Sequence, residues 1–529
     1  MTEHLIDRLA RWSRERPNAP AYTSLRYPAP GSPDGGDYIP HTLTYAELTA
    51  AVASLAREIS ARTASGDRVA LLTGHGNGYV LAFLACLAAD RLAVPLFPVG
   101  RHPERLTGVF ADATPALSLI DPGDDVSAAL AGNVLVVDPS RTVECAELPP
   151  GNAPAYLQYT SGSTGAPTGI RVESENLTAA VGQLRAAIPA AGTKPIVGWL
   201  PFFHDMGLVL TLALPIWSGV PGTTLAPVDF VKRPVRWLRA CSDFGAGTTG
   251  APDFALALTA ATTTERQVRH LDLTTLDAVL NGAEPIRAAT LRTFTETFAP
   301  AGFRHRAHAP GYGLAEATLT VTLTPQDREP TVLEVDRAAL TTGRARPAST
   351  GSAVALVGCG PPAGQRIRIV DPADGTILEP GREGEIHVSG PNVCVADAEN
   401  WLHTGDLGFE HNGELYVTGR AKDLVILDGR NHHPADLEET AAAAAPEIRL
   451  VAAFGHDDGV RESLVIVAET PDADAEPAGK IRSAVARTHE VVPSTVLLVP
   501  PGEIPRTSSG KVRRGECRAR FAAGELRPH

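Results

Sequence analysis

Short apolar runs and alanine-rich stretches take turns along the chain. RVALLTG (68–74), ALSLID (116–121) and NVLVVDP (133–139) read as strands, and YVLAFLACLAADRL (79–92) reads as a helix. The cycle repeats from IVGWLPF (196–202) into the apolar, helix-like GLVLTLALPIWSG (207–219). This alternation predicts layered α/β architecture. From residue 331 the texture turns β-like, with QRIRIVDP, GEIHVSG and GELYVTG separated by Gly, Asp and Pro turns. After Gly419 a smaller α+β unit is expected, its strands being DLVILDG, RLVAAFGHDDG, ESLVIVAET and STVLLVPP. GHGNG (74–78) reads as a turn, because the full dinucleotide-loop spacing is missing, and NHHP (431–434) reads as a loop.

Composition narrows the picture. The 529 residues are too many for one core and predict several folding units. No run of ~18 apolar residues exists, so no stable membrane insertion is expected. A net charge of −13 argues against nucleic acid as a partner. The six cysteines stand singly, without a C-x-x-C pair, which fits a reducing cytoplasm.

The candidate chemistry lies in five polar, glycine-marked stretches. QYTSGSTGAPTGIR (158–171) combines glycines that let backbone N–H groups approach an anion with the hydroxyls of Thr160, Ser161, Ser163 and Thr164. It is not a Walker A loop, and Thr168 stands where such a loop usually carries a lysine. NGAEPIR (281–287) follows a strand-like run. GYGLAEAT (311–318) puts the aromatic Tyr312 four residues before Glu316. WLHTGDLG (401–408) sets Asp406 in a predicted glycine-flanked turn, suited to two vicinal hydroxyls. IPRTSSGKVRR (504–514) is a second Ser/Gly loop, holding Lys511, one of only five lysines in the chain.

In this order, over nearly the whole chain, the motifs resemble those of the acyl-adenylate-forming superfamily. The resemblance implies a large N-terminal domain, residues 1–420, of layered α/β plus a β-rich subdomain. A small mobile α+β domain, residues 421–529, would follow and carry the catalytic lysine, Lys511. It implies ATP gripped by Thr160, Ser161, Gly162, Ser163, Thr164 and Gly165. Adenine would lie on Tyr312 and Gly313, edged by the backbone of Gly282 and Ala283, and the ribose would be held by Asp406 and Arg420. Mg²⁺ would lie near Glu316 and Thr164, and His204 would stand where acyl pocket and nucleotide site join. Lys422 would occupy the hinge.

WLPFFHDMGL (199–208), the Phe-x-x-x-Pro-x-x-Trp-Leu pattern at 230–238 and the polar stretch 327–356 resemble the fatty acyl-AMP ligase branch in particular. That branch implies an insertion packed on the C-terminal domain and transfer of the acyl group to an acyl carrier protein, alone or in a polyketide or nonribosomal peptide assembly line, in place of coenzyme A. Two departures stand out. Thr168 should weaken the grip on ATP. Asp253, where the branch shows asparagine, leaves open a polar or amino-bearing acyl group. The alternative reading is a coenzyme A ligase, or an adenylating enzyme that passes its acyl group to an amine. The basic segment 511–520, with Arg514 and Arg518 four apart, is the expected carrier-docking face.

Overall fold

A computed structural model describes residues 3–28, 35–99, 104–124, 133–139, 148, 155–160, 168–349, 352–427, 429–457, 462–471, 476–506 and 511–529. By their packing they form two compact units. The first comprises Met1–Pro330, Cys359–Arg366 and Val388–Leu402; the second comprises Thr331–Gly358, Ile367–His387 and His403–His529.

The first unit is built on two sheets. The eight-stranded sheet runs in the order 320–323, 308–313, 278–281, 248–251, 196–198, 222–225, 20–26 and 39–44. Its six inner strands are parallel, and each edge strand is antiparallel to its neighbour. The six-stranded sheet runs 134–136, 117–120, 68–71, 92–95, 156–160 and 168–172, parallel except for the last pair. Thr248–Ala251, Ala278–Asn281 and Leu92–Pro95 are buried at every position, as expected of parallel strands covered on both faces. The helix Asn77–Ala88 is buried on all sides because it packs against strands of both sheets, which is why its sequence is apolar all round. GHGNG is the turn that starts this helix, with Asp121 accepting from Gly74 N at 2.6 Å. The apolar run at 207 is a helix in two forms: Gly207–Ala213 is a π-helix and Leu214–Ser218 an α-helix.

His308, first residue of the strand His308–Gly313, is 1% exposed and bonds through Nε2 to the Leu291 carbonyl and to Thr295 Oγ1. Burial, reinforced by neighbouring His305, pushes its pKa down to about 3. The native ring therefore stays neutral while the unfolded chain takes up a proton below about pH 6.5, so stability falls as pH falls through that window. His308→Gln should be less stable than wild type at pH 7.5. The gap should narrow by about 2 kcal/mol at pH 5, since each pH unit below the unfolded pKa is worth about 1.4 kcal/mol. Thermal melts showing the same gap at both pH values would refute this.

In the second unit the residues ahead of 421 form a four-stranded sheet in the order Arg366–Val370, Gly384–Ser389, Leu402–His411, Glu414–Arg420. The inserted stretch supplies the hairpin of Val332–Asp336 and Ala353–Val357. Its Val335, Leu340 and Val354 share a core with Phe409 and Tyr416, whose rings stack at 5.2 Å. The C-terminal part is a three-stranded sheet (450–457, 462–469 and 495–499) with helices on both faces. Val451 and Ala453 face Leu437, Ala441, Ile481 and Val485, whereas Ala452 and Phe454 face Cys517 and Phe521. That period of two explains why these strands read as unbroken apolar runs. NHHP is not a loop. His432 ends the short strand Arg430–His432, and His433 immediately precedes the helix Pro434–Ala444, its Nε2 3.0 Å from Glu383 Oε1.

Candidate functional site

In the first unit, the loops 281–287 and 311–318 follow adjacent parallel strands at their carboxyl ends, where open α/β sheets bind ligands. Ala278–Asn281 leads into Gly282 and Ala283, and neighbouring His308–Gly313 leads into Glu316. A Cβ on Gly282 would come within 2.8 Å of the Gly311 carbonyl oxygen, so only glycine lets the two strand ends lie this close. Ala283 holds φ +69°, a strained conformation for a residue with a side chain, which presents the backbone of the loop in a fixed orientation.

Tyr312 and Glu316 are half-buried. Glu316 sits in the 3₁₀ turn Ala315–Ala317. The 392–394 segment laces that turn in place: Cys394 N donates to Glu316 O at 2.8 Å, Asn392 Nδ2 to Ala317 O at 2.8 Å, and Thr318 Oγ1 to Asn392 O at 2.7 Å. A carboxylate on so firmly tied a turn is preorganised.

The phosphate-loop candidate lies between the antiparallel strands Tyr156–Thr160 and Thr168–Val172, with Thr160 opposite Thr168. Ser161, Gly162, Ser163, Thr164 and Gly165 lie outside the described residues. The second strand was missed in the sequence, although its alternation T-G-I-R-V is a strand signal. Also unforeseen was buried Gln158, whose Nε2 donates to Phe203 O at 2.8 Å, tying this hairpin to the segment that carries His204. His204 Nδ1 stands 2.6 Å from the Asp205 carboxylate, and its side chain is 27% exposed.

Asp253 is not a pocket-facing group. It is fully buried at the start of the helix Asp253–Thr262, and its carboxylate accepts from Arg287 N (3.1 Å), Arg287 Nη1 (3.4 Å) and Thr290 Oγ1 (2.9 Å). Burial pushes its pKa up, against those same contacts. With Glu284 accepting from Phe254 N at 2.6 Å, it clamps the 281–287 loop to the neighbouring helix. Asp253 therefore supports the loop from behind.

In the second unit, Asp406 lies inside the strand Leu402–His411, and the turn expected around it is absent. Gly405 takes φ +69° without ending the strand. Asp406 and Arg420 are direct partners across the antiparallel pair, and Arg420 Nε donates to Asp406 Oδ1 at 2.8 Å. This pair offers an oriented carboxylate beside a guanidinium, suited to vicinal hydroxyls. Lys422 follows in the turn Ala421–Asp423, where burial and then Arg420 lower its pKa. Lys511 is half-buried just before the helix Arg514–Ala522.

The basic face expected on that helix is largely spent inside the unit. Arg514 forks onto Glu438, Nε to Oε1 at 2.7 Å and Nη2 to Oε2 at 2.6 Å. Arg513 pairs with Glu516, and Arg520 Nη1 donates to the Glu503 carbonyl at 3.1 Å. The inserted stretch is likewise engaged. Arg337 ion-pairs with Asp436, and Asn431 N donates to Thr341 O at 2.9 Å. Among the described residues no helix is long and apolar enough to cross a membrane.

Comparison with known proteins agrees with this layout. Residues 9–395 match the family described as AMP-binding enzyme, and residues 422–529 match the AMP domain of Disco-interacting protein 2-like proteins. The chain is 37% identical to the long-chain-fatty-acid–AMP ligase FadD32 of Mycolicibacterium smegmatis, over 99% of this chain and 95% of that one. It is 36% identical to the long-chain-fatty-acid–AMP ligase FadD26 of Mycobacterium marinum, over 96% and 95%. A solved structure from a study of fatty acyl-adenylate ligases of E. coli and L. pneumophila superposes with a TM-score of 0.86 at 32% identity, over 98% of both chains. The expected α/β architecture, a large layered domain followed by a small C-terminal one, is thus the fold of this chain.

Proposed function

We infer the reaction from one premise: the chain belongs to the AMP-binding enzyme family, in its fatty acyl-AMP ligase branch. The enzyme activates a fatty acid with ATP to acyl-AMP and pyrophosphate, then passes the acyl group to the phosphopantetheine thiol of an acyl carrier protein. The carboxylate oxygen attacks the α-phosphorus, the bond to the bridging oxygen breaks, and pyrophosphate leaves with that oxygen. Two anions meet, so the site must supply positive charge where charge develops.

Lys511 takes that role, beside the attacking carboxylate and the α-phosphate. Tyr312 stacks on adenine, the Gly282–Ala283 backbone borders it, and the Asp406–Arg420 pair holds the ribose. Mg²⁺ is a hard cation that takes oxygen ligands, and the carboxylate of Glu316 on its braced turn suits it; Thr164 would be the second donor. Bound there, it would offset the charge of the phosphates. A lysine in place of Thr168 would contact the departing phosphates. Thr168→Lys should lower the KM for ATP by about twofold to fivefold, an exposed contact's worth, with little change in kcat. A gain in kcat at unchanged KM would contradict this.

The observation that carries the choice of acceptor is the attachment of the inserted stretch, through Arg337–Asp436 and Thr341–Asn431, to residues that follow 421. A C-terminal domain so held resists the rotation that coenzyme A would require. The polar acyl group suggested by Asp253 loses its support, because that carboxylate is already hydrogen-bonded.

The test is a partition assay with a fatty acid, ATP, holo-carrier protein and coenzyme A. Wild type should load the carrier and make no acyl-CoA. The double variant Arg337→Gln, Asp436→Asn should begin to make it. Deleting 327–356 would remove Val335, Leu340 and Val354 from a core, so the point variants are the cleaner test. Acyl-CoA as the main wild-type product would overturn the reading.

A further inference from the structure

We propose that the four-stranded sheet of the second unit carries a binding site for a divalent transition-metal ion of the Zn²⁺ class, formed by Glu385, His387 and His403. One ligand atom from each lies within 4.8 Å of the other two. Glu385 and His387 are two apart on the strand Gly384–Ser389 and share a face of the sheet. His403 is the second residue of the adjacent strand Leu402–His411. Two imidazoles and a carboxylate, with a fourth position open to water, are a donor set that suits Zn²⁺ and its borderline neighbours and is poorly matched to Mg²⁺ or Ca²⁺.

The second observation is an unmet polar atom. His387 has a side chain only 4% exposed, and its Nε2 is buried without a hydrogen-bond partner. The nearest acceptor, Glu385 Oε2, stands at 3.5 Å, too long for a good hydrogen bond. A tetrahedral ion with bonds of ~2.0–2.2 Å places its ligand atoms roughly 3.3–3.5 Å apart, so this pair already has the spacing of two ligands. The third ligand needs a small adjustment. The His403 ring lies at 4.0 Å from that of His387, tilted by 34°, and being exposed it can turn its nitrogen toward the ion.

The surroundings bear on the site from two sides. Glu385 Oε1 accepts from Gly405 N at 2.9 Å, which orients the carboxylate and leaves Oε2 for the ion. Arg368 Nη2 approaches His387 Nδ1 at 3.4 Å and works against occupancy, since an imidazole bound through Nε2 carries its proton on Nδ1. Metal binding must therefore displace Arg368, a long contact from a flexible side chain. An ion here would cross-link two adjacent strands at the residues just before Asp406.

The experiment uses the full chain without a histidine tag, stripped with a chelator and titrated with Zn²⁺ against a chromophoric zinc indicator. Wild type should bind one equivalent at micromolar or tighter affinity. The exposed His403→Gln, which leaves the buried residues untouched, and Glu385→Gln should each weaken binding at least tenfold. Arg368→Gln should bind as tightly as wild type or tighter. Zn²⁺ should raise the melting temperature of wild type and not of His403→Gln. Failure of wild type to compete with the indicator, or equal affinity in wild type and His403→Gln, would overturn the proposal.

Discussion

Lys511→Ala should lose acyl-adenylate formation by roughly 10²–10³-fold while the protein stays folded. The reaction brings a carboxylate against a polyphosphate, and the ammonium is the one side chain proposed to meet both anions as the new bond forms. An interaction made mainly in the transition state lowers kcat, so the loss should appear there with a smaller change in KM for ATP. Lys511 is half-buried in a connecting segment, so its removal opens no cavity in the cores of the second unit. A melting temperature within a degree or two of wild type, with pyrophosphate release reduced at least a hundredfold, is the expected pair of results. Near wild-type pyrophosphate release would remove Lys511 from the mechanism.

Arg514→Ala should instead damage the fold. Its guanidinium forks onto both oxygens of Glu438, whose side chain is 8% exposed and also accepts from Ala453 N at 3.0 Å. Removing the arginine leaves a buried carboxylate without its counter-charge, which costs about 3–5 kcal/mol. Chemical denaturation should register that loss, and Arg514→Glu should be worse, since it sets like charges together. An unchanged midpoint with slowed carrier loading would restore the docking role that the sequence suggested.

Arg514 shows where sequence reading stops. The spacing of Arg514 and Arg518 says that they share a helix face, but the partner of Arg514 lies 76 positions away. No local pattern reveals such a pairing. Asp253 failed for the same reason, since its hydrogen-bond donors at Arg287 and Thr290 are more than thirty positions on. Asp406 was read as a turn residue because glycines flank it; the strand continues because Gly405 accepts a positive φ and the ladder resumes with a bulge. Where the cue was periodic, the elements formed as read. The apolar runs at 68–74, 116–121 and 133–139 became parallel strands, and the loops of 281–287 and 311–318 follow adjacent parallel strands, since glycine and polar residues cluster where strands stop.

Fatty-acid adenylation by this chain is decided by acid-dependent exchange of labelled pyrophosphate into ATP. Exchange should require a fatty acid, be accompanied by AMP-linked product and disappear in Lys511→Ala. ATP consumed to ADP and phosphate, or no exchange with fatty acids of any chain length from a folded, ATP-binding protein, would contradict it.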